Sequence, residues 1–439
     1  MPFNLYWPQP DELADIGFAH LGNIPCFFDS EWTYHVEASQ YIRERARCTF
    51  RPRGIIGYVS EMTKRSTRNF ADYLINALDW CEFRKKDWRT LDYDNDVLAG
   101  YQADMLNGRF SASGKGLSPN TVNQRIAELC NFLEWGVKRG HRTEFNVPYI
   151  KTKIKADTIR NSHGHRMKEV ESRVGRVRLP PGSLRMPKPE EIDTWLRAVE
   201  VQKKYTKHLM CKLIIKTGIR REEAVQWRID TLPLDKVDWH IDGEYVTVEV
   251  KYGTKGGKYV DENGEEVSTA RHIILPLALA EEIHQYREVS RIKIYTVHIR
   301  RNRKKGNSQI HKTDKSNRLF LSESSGRPVS YQTLYEAWTE VSFQPFIGWS
   351  PHLGRHYWAC NTLLTHVREQ MALMADIIKS GVPTDWALSE AKNIILLHIK
   401  PQLGHVSEKT TLLYLKWVRL QLLRPDNGEN YEKRLEETI

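Results

Sequence analysis

Gln402-Leu403-Gly404-His405-Val406-Ser407-Glu408-Lys409-Thr410-Thr411-Leu412-Leu413-Tyr414 ends in a tyrosine nine residues after a Gly-His pair. Ser407 can cap a helix that carries Thr410, Thr411 and Tyr414 at helical spacing. Alone, the stretch describes an ordinary amphipathic helix with a tyrosine half in the core. Two distant stretches change its meaning. Thr217-Gly218-Ile219-Arg220-Arg221-Glu222-Glu223 lies far upstream, and Pro351-His352-Leu353-Gly354-Arg355-His356 lies some fifty residues before it.

The chain around these motifs has 439 residues, enough for two or three domains. With 40% hydrophobic and 28% charged residues it has the balance of a soluble globular protein. No apolar run approaches the roughly 20 residues of a spanning helix, and Met1 to Trp7 lacks a signal core. A cytoplasmic protein without a membrane partner is expected. The six scattered cysteines argue against a disulfide framework or a Cys-based zinc site.

The net charge of +11, from 66 Lys+Arg against 55 Asp+Glu, favours a polyanionic partner. It is concentrated. Between Lys151 and Lys188 eleven basic residues face three acids (Asp157, Glu169, Glu171), and Arg300-Arg301-Asn302-Arg303-Lys304-Lys305 forms a second cluster. Two such runs point to nucleic acid.

Residues 1–60 show no sustained period beyond a short helix from Glu37 to Arg47, and are expected to be an N-terminal extension. From 61 to 150 a small all-helical domain is predicted. Phe70, Tyr73, Leu74, Ala77, Leu78 and Cys81 form one helical stripe, a second helix starts at Asn95, and Ser118-Pro119 opens a third that stops near Gly140. Lys115, Gln124 and Arg125 are its candidate DNA contacts. The basic, Gly/Pro-rich segment 151–188, with Arg176 and Arg178, is expected to be an extended linker lying along phosphates. A second domain, 189–416, opens with Pro189-Glu190-Glu191 and is helical apart from strands at Tyr245–Val250 and His272–Leu275. The tail 417–439 carries Leu420, Leu422 and Leu423.

Two arginines, two histidines and a tyrosine in this order resemble the active site of the tyrosine recombinases, the lambda-integrase family. The Ser-Pro-Asn-Thr-Val start and the Phe132-Leu133-Glu134-Trp135-Gly136 end resemble the helical core-binding domain that precedes the catalytic domain in integrases. The resemblance covers roughly residues 66 to 420. It implies a mainly α fold with a small antiparallel sheet, an N-terminal helical core-binding (SAM-like) domain and an α+β catalytic domain. It also implies cleavage and rejoining of double-stranded DNA through a 3′-phosphotyrosine, without metal, ATP or cofactor.

Residue by residue, it implies that Tyr414 is the nucleophile and that Arg220 and Arg355 clamp the phosphate. Glu223 sits at the acidic position that braces the first arginine. His352 and His405 contact the phosphate or assist proton transfer. Lys255 resembles the general-acid lysine of a β-hairpin, with Lys258 competing for the role. The chemistry suits these types. A phenol of pKa about 10 leaves more readily than an alcohol, so the covalent ester stays reversible. Planar guanidinium groups hold two oxygens in fixed geometry.

Two departures stand out. Gly354 occupies a place where the family usually has a bulky apolar residue, which predicts a later or looser helix start. Fifty residues separate Arg355 from His405, about twice the usual interval, which predicts an inserted helical hairpin or lid. Family members work as tetramers that exchange C-terminal helices, and an integrase of a bacterial mobile element, nucleoid-associated, is the expected identity. The competing readings are a type IB topoisomerase, which carries Lys where His352 stands, and a non-catalytic DNA-binding protein on the same scaffold. A zinc pair at His352 and His356 is disfavoured because no Glu follows His352 and no Cys-rich partner exists.

Overall fold

The computed structural model describes residues 3–53, 61–111, 113–155, 167–179, 184–254, 258–260, 266–304, 317–375, 384–404 and 408–423. They form two compact units, Met1–Pro181 and Gly182–Ile439, so the division falls inside the basic segment. The fold is mainly helical with small antiparallel sheets.

The first unit opens with a two-stranded sheet, β1 (Asn4–Tyr6) and β2 (Cys26–Phe28), flanking α1 (Pro10–Asp15). α2 (Val36–Ala46), α3 (Lys64–Arg84), a π-helical stretch Tyr93–Gln102 running into α4 (Ala103–Leu106), and α5 (Pro119–Lys138) follow. Thr63 and Ser118 cap α3 and α5 by accepting from the backbone N–H three residues on, which satisfies one of the four orphan donors at each helix start. Ala71, Leu74, Ala77, Leu78 and Cys81 bury one face of α3 against Ile126, Leu129 and Leu133 of α5. The described residues among 1–60 are no appendage but share the core of this bundle. Phe27, Tyr41 and Ile42 are fully buried in the same core.

The expected extended linker also differs. Its residues 151–155 and 167–173 lie in a hairpin, β3 (Tyr149–Lys155) and β4 (Met167–Arg173), which belongs to the first unit. The stretch just after it is tied to the bundle by hydrogen bonds: Tyr93 donates to the Val174 carbonyl (2.6 Å), and Asn123 both donates to and accepts from the Val177 backbone (2.8 and 3.0 Å).

The second unit begins with α6 (Pro189–Lys203), α7 (Tyr205–Thr217) and the short α8 (Arg221–Val225). Its sheet has the order β5 (His240–Asp242), β6 (Tyr245–Val250), β9 (Arg271–Pro276). Between β6 and β9 lies a two-stranded insert, β7 (Lys258–Val260) and β8 (Glu266–Ser268). Period-two alternation puts Val246, Val248, Ile273 and Leu275 on one buried face, with Val246 opposite Leu275 and Val248 opposite Ile273. α9 (Leu277–Gln285), α10 (Ile292–Lys304), α11 (Tyr331–Thr339) and α12 (Pro351–Ala375) follow.

α12 starts at Pro351, ahead of His352, so the later start expected from Gly354 is not found. A β-carbon on Gly354 would lie 2.4 Å from the Trp338 ring, so the indole of α11 fills the volume a bulky side chain would otherwise take.

The described residues between Arg355 and His405, where an inserted hairpin or lid is expected, are helical: the far half of α12, α13 (Thr384–Ile394), a π turn (Ile395–Ile399) and α14 (Lys400–Leu403). It is a wall rather than a free lid. Ala359, Cys360, Leu363 and Val367 pack on Ala387, Ala391, Ile394 and Ile399, and the same core holds Tyr414 and Val418 of α15 (Glu408–Leu423).

Candidate active site

α7 stops at Gly218, which has a positive φ of 67°. Only glycine adopts that conformation freely, and a β-carbon there would also strike Trp358 at 2.6 Å and Leu403 at 2.8 Å. The turn delivers Arg220 to the start of α8. There the Glu223 carboxylate accepts from the Arg220 backbone N–H (2.6 Å) and from Nη1 (3.0 Å), closing the turn on itself. The second guanidinium nitrogen donates to the Gly404 carbonyl (2.9 Å). Neighbouring Arg221 turns elsewhere, stacked 3.3 Å from the Tyr331 ring centre.

Glu223 is fully buried and is gripped a second time by Arg271 of β9, through a bond from Nη1 and one from Nη2 at 2.9 Å. Arg271 also donates from Nε to the Gln402 carbonyl (3.1 Å). Gln402 in turn ties the three segments together. Its amide donates to the Thr217 and Ile274 carbonyls (3.0 and 2.9 Å) and accepts from the Ile274 N–H (2.7 Å).

Arg355, one turn into α12, is 6% exposed and reaches both other segments. It donates to the Gly218 carbonyl (2.7 Å) and to the Leu403 carbonyl. Burial, and then the positive charge of Arg220, push its pKa down to about 9, with Glu223 opposing. Arg220, Arg271 and Arg355 thus converge around one carboxylate. A cationic surplus of this kind in a poorly hydrated site favours an anion.

Tyr414 is 1% exposed. Burial raises its phenol well above the usual range, and Arg355 pulls the other way. Its hydroxyl lies 2.8 Å from Nδ1 of His356, whose Nε2 lies 3.1 Å from Nε2 of His352. Both histidines are held below the ordinary imidazole value, first by burial. Arg355 and Arg220 add to this at His352, and His352 and Arg355 at His356, which reaches about 4.

Arg220, Glu223, Arg355, His352 and Tyr414 therefore meet in one place. Lys255 and His405 lie outside the described residues, and of Lys258 only the backbone, in β7, is described. In the first unit Lys115, Gln124, Arg176 and Arg178 are exposed. Gln124 accepts from the Tyr73 hydroxyl (3.0 Å), and Arg125 donates to Asn76 (2.7 Å). The sequence alone does not single out Arg271, Gln402 or the contact of His356 with Tyr414. Arg271 left a trace, being an arginine in phase with Ile273 and Leu275 on the apolar face of a strand. Among the described residues no group of three or more His, Cys, Asp or Glu could hold a metal ion, and no helix is long and apolar enough to cross a membrane. All six cysteines are free thiols.

The chain is similar to solved structures of tyrosine recombinases. A lambda integrase dimer bound to a core site shares 14% identity at a TM-score of 0.41, covering 90% of this chain and 96% of that one. The Tn1549 transposon integrase with transposon right-end DNA shares 13% at 0.43, covering 88% and 99%. XerA recombinase shares 11% at 0.32, covering 89% and 98%. No family model and no curated protein matches the chain.

Proposed function

We propose that this protein is a site-specific DNA recombinase that cuts and rejoins duplex DNA through a 3′-phosphotyrosine. The observation that carries the reading is a buried phenol, Tyr414, beside a cluster of three guanidinium groups with one carboxylate among them. Each arginine has five N–H donors, so their carbonyl contacts leave capacity for phosphate oxygens. As the phenolic oxygen attacks, charge grows on the non-bridging oxygens, and preorganised donors there stabilise the transition state without reorganising. Arg220 and Arg355 supply this, Glu223 and Arg271 hold the first arginine, and Lys255 protonates the leaving 5′ oxygen while His352 and His405 contact the phosphate. A 5′ hydroxyl from a second duplex then displaces the tyrosine.

The wider reading goes with it: a homotetramer on two DNA sites, acting as the integrase of a mobile element, in which an exchanged tail begins beyond Val418, because that residue is buried in this protomer's own core. Lys115, Gln124, Arg125, Arg176 and Arg178 contact the DNA backbone.

A nicked suicide duplex carrying the site mapped from the gene's flanks tests it. A covalent protein–DNA adduct is expected without added metal or ATP, and none with Tyr414→Phe. An adduct that persists in Tyr414→Phe, or wild-type protein that binds the duplex and never forms one, overturns the reading.

A further inference from the structure

His356 is one residue past the His-x-x-Arg pair, yet it is the group that touches Tyr414. Four residues after His352 on α12, it presents its ring on the same helix face, with ring centres 4.4 Å apart. A neutral imidazole has one N–H and one bare nitrogen. The two contacts of His356 are therefore linked. If Tyr414 donates to Nδ1, the proton of His356 sits on Nε2 and must be donated to Nε2 of His352.

Resting on the recombinase reading, we propose that His356 takes the phenolic proton of Tyr414 and relays it to His352. As the Oη–P bond forms and the P–O5′ bond breaks, the broken bond's electron pair leaves on O5′, which takes a proton from the general acid. The phenolic proton moves to His356 Nδ1, and the Nε2 proton moves on to His352 Nε2. His356 ends neutral as the opposite tautomer, and His352 ends as the imidazolium. Rejoining runs the same chain backward.

The surroundings fit a relay rather than a proton store. His356 is held neutral by its burial beside His352 and Arg355, so its bare nitrogen is free to accept. His352 is the more exposed of the two and lies at the phosphate side, near Arg355 and Arg220, where an incoming phosphate offsets the positive charge that keeps it unprotonated.

The test uses the suicide duplex with either oxygen or sulfur at the 5′ bridging position, since a thiolate leaves without a proton. His356→Asn and His356→Gln should slow adduct formation about 100-fold, by the same factor on both substrates. Asparagine still offers an acceptor at the Nδ1 position, so it is the control for a purely structural role. Recovery of His356→Asn to within a few-fold of wild type would overturn the relay, as would variants restored by sulfur, which would place the defect at the leaving group. No adduct in wild type sinks the recombinase reading and the relay together. A DNA-free readout covers variants that fail to fold: in 15N-histidine-labelled protein, Tyr414→Phe should shift the ring nitrogens of both His356 and His352. A shift confined to His356 would contradict the chain.

Discussion

Each unit of the molecule contains a buried cluster of arginine, glutamate and tyrosine, and the two differ in their charge. In the first unit, Tyr41 donates to Glu128 (2.7 Å) and Arg45 donates to the same oxygen (2.8 Å), all three no more than 5% exposed. One positive charge meets one negative charge, and the phenol is satisfied by the carboxylate. In the second unit one carboxylate, Glu223, faces Arg220, Arg271 and Arg355, and the phenol turns to a histidine instead. The first cluster is balanced in charge as it stands, although Nη1 of Arg45 finds no hydrogen-bond acceptor, and charge balance is what a structural ion pair needs. The second carries positive charge that only an added anion can balance.

The comparison can be broken most sharply at its arginines. Arg355→Ala should cost adduct formation about 10²–10³-fold while DNA binding, read by gel shift, is kept. Lysine there should recover little, because it cannot donate to two carbonyls in one plane. Arg45→Ala should leave the rate per folded molecule unchanged and destabilise the first unit instead.

Removing the carboxylates separates the clusters by their response to anions. Glu128→Gln and Glu223→Gln should each destabilise by about 3–5 kcal/mol, since each strands buried charge. In thermal melts, sulfate should recover part of the loss in Glu223→Gln and none in Glu128→Gln. An equal response of the two variants would erase the distinction.

Acid should act on the second cluster through His356, with a folded pKa of about 4 against 6.5 for the free side chain. Below 6.5 the unfolded chain takes up a proton that the folded site refuses. Stability is thus whole above 6.5, falls as the pH drops, and has lost about 3 kcal/mol near pH 4. Denaturant titrations of His356→Asn should lose most of this limb and keep the part that belongs to His352, whose imidazole is also held below its ordinary value. The smallest effect is steric: Gly354→Ala must push Trp338 aside and should cost about 1–3 kcal/mol.

What the sequence disclosed followed the range of its signals. The Ser118-Pro119 start and the stripe from Phe70 to Cys81 are local, and α5 and α3 stand where those signals put them. The order of Arg220, His352, Arg355 and Tyr414 was legible as a pattern, and the structure brings these residues together. What was hidden depends on contacts between distant residues. Gly354 looked like a defect because Trp338, sixteen residues away, fills its place. Gln402 stands in the same stretch as Tyr414, yet its purpose is to bond Thr217, 185 residues earlier. The β3–β4 hairpin was obscured by the glycines and prolines around it, and residues 1–60 had no period to show that Phe27 and Tyr41 belong to a core.

The most direct test is to locate the bond. After trapping on the suicide duplex and nuclease digestion, mass spectrometry of the peptides should place the phosphonucleotide on Tyr414. Its appearance on Tyr331, Tyr357 or any other residue would contradict the account.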